Sequence, residues 1–352
     1  MKKLFVFMLC LVLFSCEAKF EQFGGNLSVR YLENGYKEIT DAIGRKFLLV
    51  PEGKKPIGSY KKSHIVEIPV KSVVVYTWYH IALIKALGHI DTVRGIVYKP
   101  KKYFIPELKK GLESGKVVWL GNYTSVDFEK LKKLNPDVVF TWDEAIIPIL
   151  DSLGIPCIVT IPKIAPDLNA RIKFVKFLAA FYNEEEKANL LVKEQFKRIA
   201  QIEKITKHKR PKPKVVWGDV YEKKVLVEPG NSWAAQVVEK AGGRYLFSDL
   251  QGASCMQITL EKFFFRTKYA DILITYRGPE TGITSKEKLK ASSTLLQKVE
   301  IKPLVSGKVL CAKESLYQTH DTAAIIEELA SIFFPKLFPN KERRFFFELP
   351  EK

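Results

Sequence analysis

The chain has 352 residues, 47% of them apolar and 27% charged, and 57 Lys+Arg against 39 Asp+Glu give a formal charge of +18. Those ratios describe a globular protein and exclude disorder as the main state, while 20 Gly and 18 Pro exclude a collagenous or low-complexity chain. At roughly 150 residues per domain the length predicts about two domains.

Residues 1–16 stand apart. Lys2 and Lys3 precede an apolar run from Leu4 to Phe14 that ends in Leu13-Phe14-Ser15-Cys16, too short for a spanning helix, which needs about 20 residues. A cysteine after a small residue at the end of such a run resembles a bacterial lipoprotein signal. The resemblance implies cleavage before Cys16, lipidation of Cys16 and a tether over residues 17–26; an ordinary secretory signal is the alternative. A membrane-anchored lipoprotein on the periplasmic or cell-surface side is therefore expected, its body water-soluble. Without Lys2 and Lys3 the charge is still +16. Export argues against a nucleic-acid partner, and so do lysine runs at 99–102 and 207–214 that lack interleaved aromatics. Of the remaining cysteines, Cys157 and Cys311 lie in apolar runs and no pair with Cys255 has CxxC spacing, so zinc and redox sites are unsupported.

In chain order, residues 27–32, 36–40 and 46–51 alternate apolar and polar around turns at Glu33-Asn34-Gly35 and Asp41-Ala42-Ile43-Gly44, which predicts a small N-terminal β-meander. From residue 72 short continuous apolar runs predict buried strands at 72–76, 93–97, 138–141 and 157–161. Helices at 79–87, 128–134 and 145–153 alternate with them. This is the signature of a mainly parallel sheet covered on both faces, and it closes an N-terminal lobe over residues 27–182.

Residues 167–206 contain no Gly or Pro. One helix ending near Phe181 is followed by a linker helix within 183–208, running from about Glu184 to Thr206 and reaching about 35 Å. Asn183 and Glu186 have the spacing of a capping box. After Pro211 and Pro213 a second α/β lobe covers 209–340, with strands at 215–217, 225–227, 271–276 and 309–312 and helices at 233–241, 260–268 and 322–334; residues 341–352 read as a tail. The fold class is α/β: two parallel-sheet lobes joined by a single long rigid helix.

Several segments together match one family. Val73-Val74-Val75-Tyr76, Ala86-Leu87-Gly88, Phe128-Glu129-Lys130-Leu131, Asn135-Pro136-Asp137-Val138-Val139, Glu239-Lys240-Ala241-Gly242-Gly243 and Tyr269-Ala270-Asp271-Ile272 occur in order and at the right intervals. The chain resembles, over about residues 36–335, the helical-backbone class of periplasmic binding proteins that deliver iron–siderophore complexes, haem or cobalamin to ABC importers. The resemblance implies a monomeric carrier of a small metal chelate, foremost a ferric siderophore, with cobalamin or haem as alternatives. It implies no cofactor and no catalysis, and docking on a permease dimer through Glu129 and Glu261; the other reading of these glutamates is that each caps its helix.

Ligands of open α/β sheets collect at the carboxyl ends of strands. Tyr76, Trp78, Tyr98, Trp142, Trp217, Tyr276 and Arg277 fall there, with Trp233 at a loop position, and rings of this kind offer rigid amphipathic walls to a flat or greasy chelate. Trp142 and Tyr123 lie where cobalamin-binding relatives have aromatics, whereas the second-lobe equivalent falls near Cys255, a departure from the corrinoid pattern. Arg277 and Lys99 are candidates for anionic oxygens. A bare Zn or Mn site would need three or four converging ligands, and only His80 and His320 lie near the expected cleft, each with helix capping as the alternative. An enzyme would need a motif such as Gly-x-Ser-x-Gly or His-Glu-x-x-His, and neither occurs; Asp143-Glu144 lacks a partner acid.

Overall fold

The computed structural model describes residues 19–160, 167–222, 224–252, 255–339 and 341–352. The expected signal and Cys16 lie outside them. No helix among the described residues is long and apolar enough to cross a membrane.

The N-terminal sheet has five strands in sequence order: β1 (Phe20–Gln22), β2 (Ser28–Tyr31), β3 (Lys37–Thr40), β4 (Lys46–Pro51) and β5 (Ile65–Ile68). The expected meander is β2 to β4. It is extended by β1, which pairs antiparallel with β2 inside the segment expected as a tether, and by β5, which runs parallel to β4. Alternation puts Val29, Ile39, Phe47 and Leu49 in the core. Lys37 points the same way, and its Nζ donates to Ala180 O and Asn183 Oδ1, both at 2.8 Å, and to Glu185.

The first lobe continues through β6 (Val73–Val75), α1 (Trp78–Leu87), β7 (Val93–Ile96), α2 (Pro106–Glu113), β8 (Val118–Trp119), a hairpin of β9 (Gly121–Asn122) and β10 (Ser125–Val126), α3 (Phe128–Leu134), β11 (Val138–Thr141), α4 (Ile147–Ser152) and β12 (Cys157–Val159). Its sheet is parallel throughout, in the order β12-β11-β6-β7-β8. The continuous apolar runs follow from this: Val73, Val75, Val138 and Phe140 face one core while Val74, Tyr76 and Val139 face the other. Gly88, at φ +93°, ends α1 in the left-handed conformation that suits glycine.

Two helices connect the lobes, α5 (Leu168–Ala179) and α6 (Glu185–Thr206). At 22 residues α6 is about 33 Å long. The expected capping box is not formed. Asn183 takes a left-handed φ of 59° to reverse the chain and spends its side chain on Lys37, and Glu184 occupies the N-cap without a side-chain bond.

The second lobe comprises β13 (Lys214–Val220), β14 (Val225–Val227), α7 (Trp233–Lys240), β15 (Arg244–Tyr245), β16 (Met256–Ile258), α8 (Leu260–Thr267), β17 (Ile272–Thr275), α9 (Lys286–Ala291), α10 (Thr294–Gln297), α11 (Lys302–Val305), β18 (Lys308–Ala312), α12 (Thr322–Phe333) and β19 (Phe346–Glu348). β15, β13, β17 and β18 form its parallel core, and β14, β16 and β19 add antiparallel strands. Residues 341–352 are therefore not merely a tail. β19 pairs with β18, and the buried carboxylate of Glu328 accepts the backbone N–H groups of Arg344, Phe345 and Phe346 at 2.8–3.1 Å.

Candidate ligand-binding cleft

At the carboxyl end of the first-lobe sheet the aromatic residues form one continuous rank. Thr77 caps α1 by accepting from His80 N at 3.2 Å, which sets Trp78 on the first turn. Trp78 lies 4.9 Å from Tyr98 between ring centroids and 6.5 Å, edge-on, from Tyr103. Tyr98 lies 5.8 Å from Tyr123, and Tyr123 5.4 Å from Trp142. Tyr123 occupies the tip of the β9–β10 hairpin and is 41% exposed. Four expected residues thus come together, joined by the buried Tyr103, which sequence reasoning passed over because it follows a strand end by seven residues. Burial raises the Tyr98 phenol's pKa, an effect the Trp142 side chain opposes.

Tyr76 does not join them. It is fully buried, its side chain falling on the α3/α4 face of the sheet beside Leu131 and Leu150, and its hydroxyl finds no partner. Lys99 is exposed. The lysine that reaches the rank is Lys102, its Nζ 6.0 Å from the Trp78 ring.

In the second lobe the correction is larger. Trp217 is fully buried in the middle of β13, edge-on to Trp233 at 6.0 Å and to Phe346 at 5.9 Å. The strand was expected to stop at residue 217. It runs on instead, since β14 passes so close that a Cβ on Gly218 would lie 2.4 Å from Leu226 O, and since Asp219 is paired. Trp233 and Tyr276, both half-buried, stand in front of Trp217.

Arg277 is equally committed. Its Nε donates to Asp219 Oδ1 at 3.0 Å, Nη1 to Ser292 Oγ at 2.8 Å and Nη2 to Val220 O at 2.9 Å, and Asp219 also accepts from Tyr276 N at 2.9 Å and from Thr275. Burial raises the Asp219 pKa against the pull of Thr275 and Arg277. Arg277 therefore holds the end of β13 and is not free to take a ligand. Beside it, Tyr276 Oη and Cys255 Sγ both donate to Glu228, the thiol at 3.0 Å. Burial and then Glu228 push the Cys255 pKa up to about 12, which leaves an unreactive thiol.

The two lobes meet along this face. Lys102 Nζ pairs with Glu314 at 2.6 Å, Gln318 accepts from Phe104 N at 2.8 Å and donates to Lys102 O at 2.7 Å, and Gln236 accepts from Leu168 N at 3.0 Å. At the centre is a residue that sequence reasoning missed, Arg171. Its guanidinium lies 3.9 Å from the ring centroid of Tyr79 and 4.0 Å from that of Trp233. The signal was present: Arg171 sits three residues after Leu168 and four before Val175, on the buried stripe of α5.

The histidines do not converge. His80 packs its ring against Phe174 (5.1 Å) and Phe140 (6.3 Å) in the core, and burial pushes its pKa down to about 3. The cap of α12 is Asp321 rather than His320. Among the described residues no group of three His, Cys, Asp or Glu could hold a metal ion. Asp143 accepts from Ala145 N at 2.9 Å and so caps a short turn. Glu129 and Glu261 are exposed in the first turns of α3 and α8, whose capping residues are Asp127 and Thr259; neither glutamate is spent as a cap.

Residues 73–304 match the family described as periplasmic binding protein. An uncharacterized lipoprotein of Methanocaldococcus jannaschii is 29% identical over 332 residues, covering 88% of this chain and 78% of that protein; a second from the same organism is 25% identical over 320 residues, covering 87% and 80%. Among solved structures, a periplasmic haem-binding protein from Pseudomonas aeruginosa superposes with a TM-score of 0.62 at 16% identity, over 79% of this chain and 98% of that one. A possible iron-binding periplasmic protein from Staphylococcus epidermidis gives 0.59 at 15% identity, over 76% and 99%. The two lobes, the long connecting helix α6 and the match over residues 73–304 agree, and the chain belongs to the periplasmic binding protein family, in its helical-backbone class.

Proposed function

We propose that this protein is an extracytoplasmic, lipid-anchored solute-binding protein that captures a metal chelate, foremost a ferric siderophore, and delivers it to an ABC importer. The observation that carries the reading is the rank Tyr103–Trp78–Tyr98–Tyr123–Trp142 at the strand ends, facing the seam between the lobes. Stacked rings give a large apolar contact with few rotatable bonds, so little entropy is lost when a rigid chelate settles on them. Trp233 and Tyr276 supply the opposing wall. The relatives in Methanocaldococcus jannaschii that are named lipoproteins support the anchor, and the haem-binding and iron-binding names of the solved relatives support the chelate. Glu129 and Glu261, exposed and without an ion partner among the described residues, are the docking points for the permease.

The test is tryptophan fluorescence titration with ferric siderophores, haem and cobalamin. At least one should bind below micromolar concentration. With base–aromatic stacking as the calibration, at about 1–3 kcal/mol per ring, Trp142→Ala should then weaken it about five- to a hundredfold. A Trp142→Ala protein with wild-type affinity for every chelate that binds would refute the aromatic wall.

A further inference from the structure

Arg171 is 8% exposed, and its Nε and Nη2 are buried without a hydrogen-bond partner. Buried charges are normally paired, because desolvating one is costly. Among the described residues, the titratable groups that act on the guanidinium are the phenols of Tyr79 and Tyr317, and no carboxylate is paired with it. The rings of Tyr79 and Trp233 lie against the guanidinium, their centroids 3.9 and 4.0 Å from its Cζ. The Tyr79 ring is itself held by its hydroxyl, which donates to Arg171 O at 2.7 Å. The unpaired atoms share one in-plane edge, where Nε–H and Nη2–H point the same way and match the spacing of two carboxylate oxygens. The same edge is filled elsewhere in this chain: Arg45 donates from Nε at 3.0 Å and from Nη2 at 2.7 Å to Asp41.

We propose that the Nε/Nη2 edge of Arg171 receives an oxyanion carried by the captured solute, a carboxylate or a group of like geometry, and that the solute is negatively charged where it meets the seam between the lobes. The identity of the solute rests on the chelate-capture reading; the anion site does not. Arg171 takes the role that Arg277 was expected to fill, and it is suited to it because its hydrogen-bonding capacity is unspent. Arg171 comes from the connector α5, and the rings that flank it come one from each lobe, so the anion sits where both lobes sense it.

Two arms test this. In the first, citrate and phosphate are compared with chloride at equal ionic strength in thermal unfolding of the full protein. At least one oxyanion should raise the Tm of the wild type, leave Arg171→Gln unmoved, and raise Arg171→Lys by part of the wild-type shift. Equal shifts in all three proteins, or none in the wild type, would overturn the site. In the second, haemin is compared with its dimethyl ester, in which both propionate carboxylates are replaced by neutral methyl esters. The wild type should prefer the free acid about tenfold or more, and Arg171→Gln should abolish the preference while still binding the ester. If neither porphyrin nor any other chelate binds while citrate or phosphate still stabilises through Arg171, the chelate reading falls and the anion site stands. If carboxylate chelates bind and Arg171→Gln changes neither affinity nor preference, the anion site falls and the chelate reading stands. Arg171→Lys guards against misfolding of the glutamine variant, since it keeps the charge and the stem; an Arg171→Met protein that is more stable and binds normally would make the residue interlobe packing alone.

Discussion

Removing Arg277 should cost stability and leave ligand affinity intact. The Arg277 side chain is 12% exposed and that of Asp219 1%, so solvent screens the pair little. Arg277→Met leaves the Asp219 carboxylate buried without its counter-charge, which costs about 3–5 kcal/mol. It also removes the donors at Val220 O and Ser292 Oγ, at about 1 kcal/mol each. Against a usual total of about 5–15 kcal/mol, that makes the second lobe marginal. The penalty should depend on pH. Burial already raises the Asp219 pKa, and without Arg277 it rises further. A carboxyl whose folded pKa lies above its unfolded value contributes its stability below the unfolded pKa and loses it as pH rises through the folded one. The gap between wild type and Arg277→Met should therefore narrow as pH falls toward the carboxylate range. Urea unfolding followed by the buried Trp217 at several pH values reads this, and Asp219→Asn in both backgrounds isolates the coupling. An Arg277→Met protein of unchanged stability and collapsed ligand affinity would refute the reasoning and restore Arg277 to the ligand.

His80 should make the fold acid-sensitive: its folded pKa of about 3 lies below the unfolded value of about 6.5, so its stability is present above pH 6.5 and declines below it. Between pH 6.5 and 5 the loss is about 2 kcal/mol, and His80→Leu should flatten that slope in denaturant midpoints; an unchanged slope would clear His80. For the docking surface, Glu129→Lys with Glu261→Lys should preserve fold and ligand affinity but abolish ligand-stimulated ATPase activity in the reconstituted importer, and normal stimulation at physiological salt would reject both residues as docking points.

In the first-lobe sheet β6, β11 and β12 were legible because they are buried throughout, which forces apolar runs such as Val73-Val74-Val75, whereas the short edge strand β8, with Trp119 exposed, left no such run. Helices with a side-chain cap, such as α3 after Asp127 and α8 after Thr259, were legible for the same local reason. What failed depended on partners distant in sequence. β19 is held by Glu328 from α12, β13 is prolonged by Arg277 against Asp219, and Asn183 is claimed by Lys37 from the opposite end of the lobe. The site split along the same line. Tyr98, Tyr123, Trp142 and Trp78 are placed by strand ends and loops, so position along the chain already groups them. Telling Arg277 from Arg171 required knowing which guanidinium has acceptors, and that is a property of the packed interior.

How far the lobes can move follows from how α6 is fastened. At its start Lys37 reaches Glu185, His89 pairs with Glu184 at 2.9 Å and Lys187 Nζ bonds Leu87 O at 2.7 Å, all on the first lobe. Further along, Arg198 meets Asp321 at 2.8 Å and Gln195 accepts from Ala323 N at 2.8 Å, both on α12 of the second lobe. With no Gly or Pro inside α6, rotation between lobes must be absorbed in residues 180–184 or 207–213, and Lys37 restrains the first of these by bonding Ala180 O and Asn183. Closure by a wide hinge is therefore not expected to be a source of selectivity. On the proposed function, selection would come from groups already in place, the ring rank on one wall and the arginine edge at the seam. Such preorganisation reduces the ordering cost of binding. It also means that a solute lacking the right charge at Arg171 gains nothing from the protein adjusting around it, because the two fastened ends of α6 leave little to adjust.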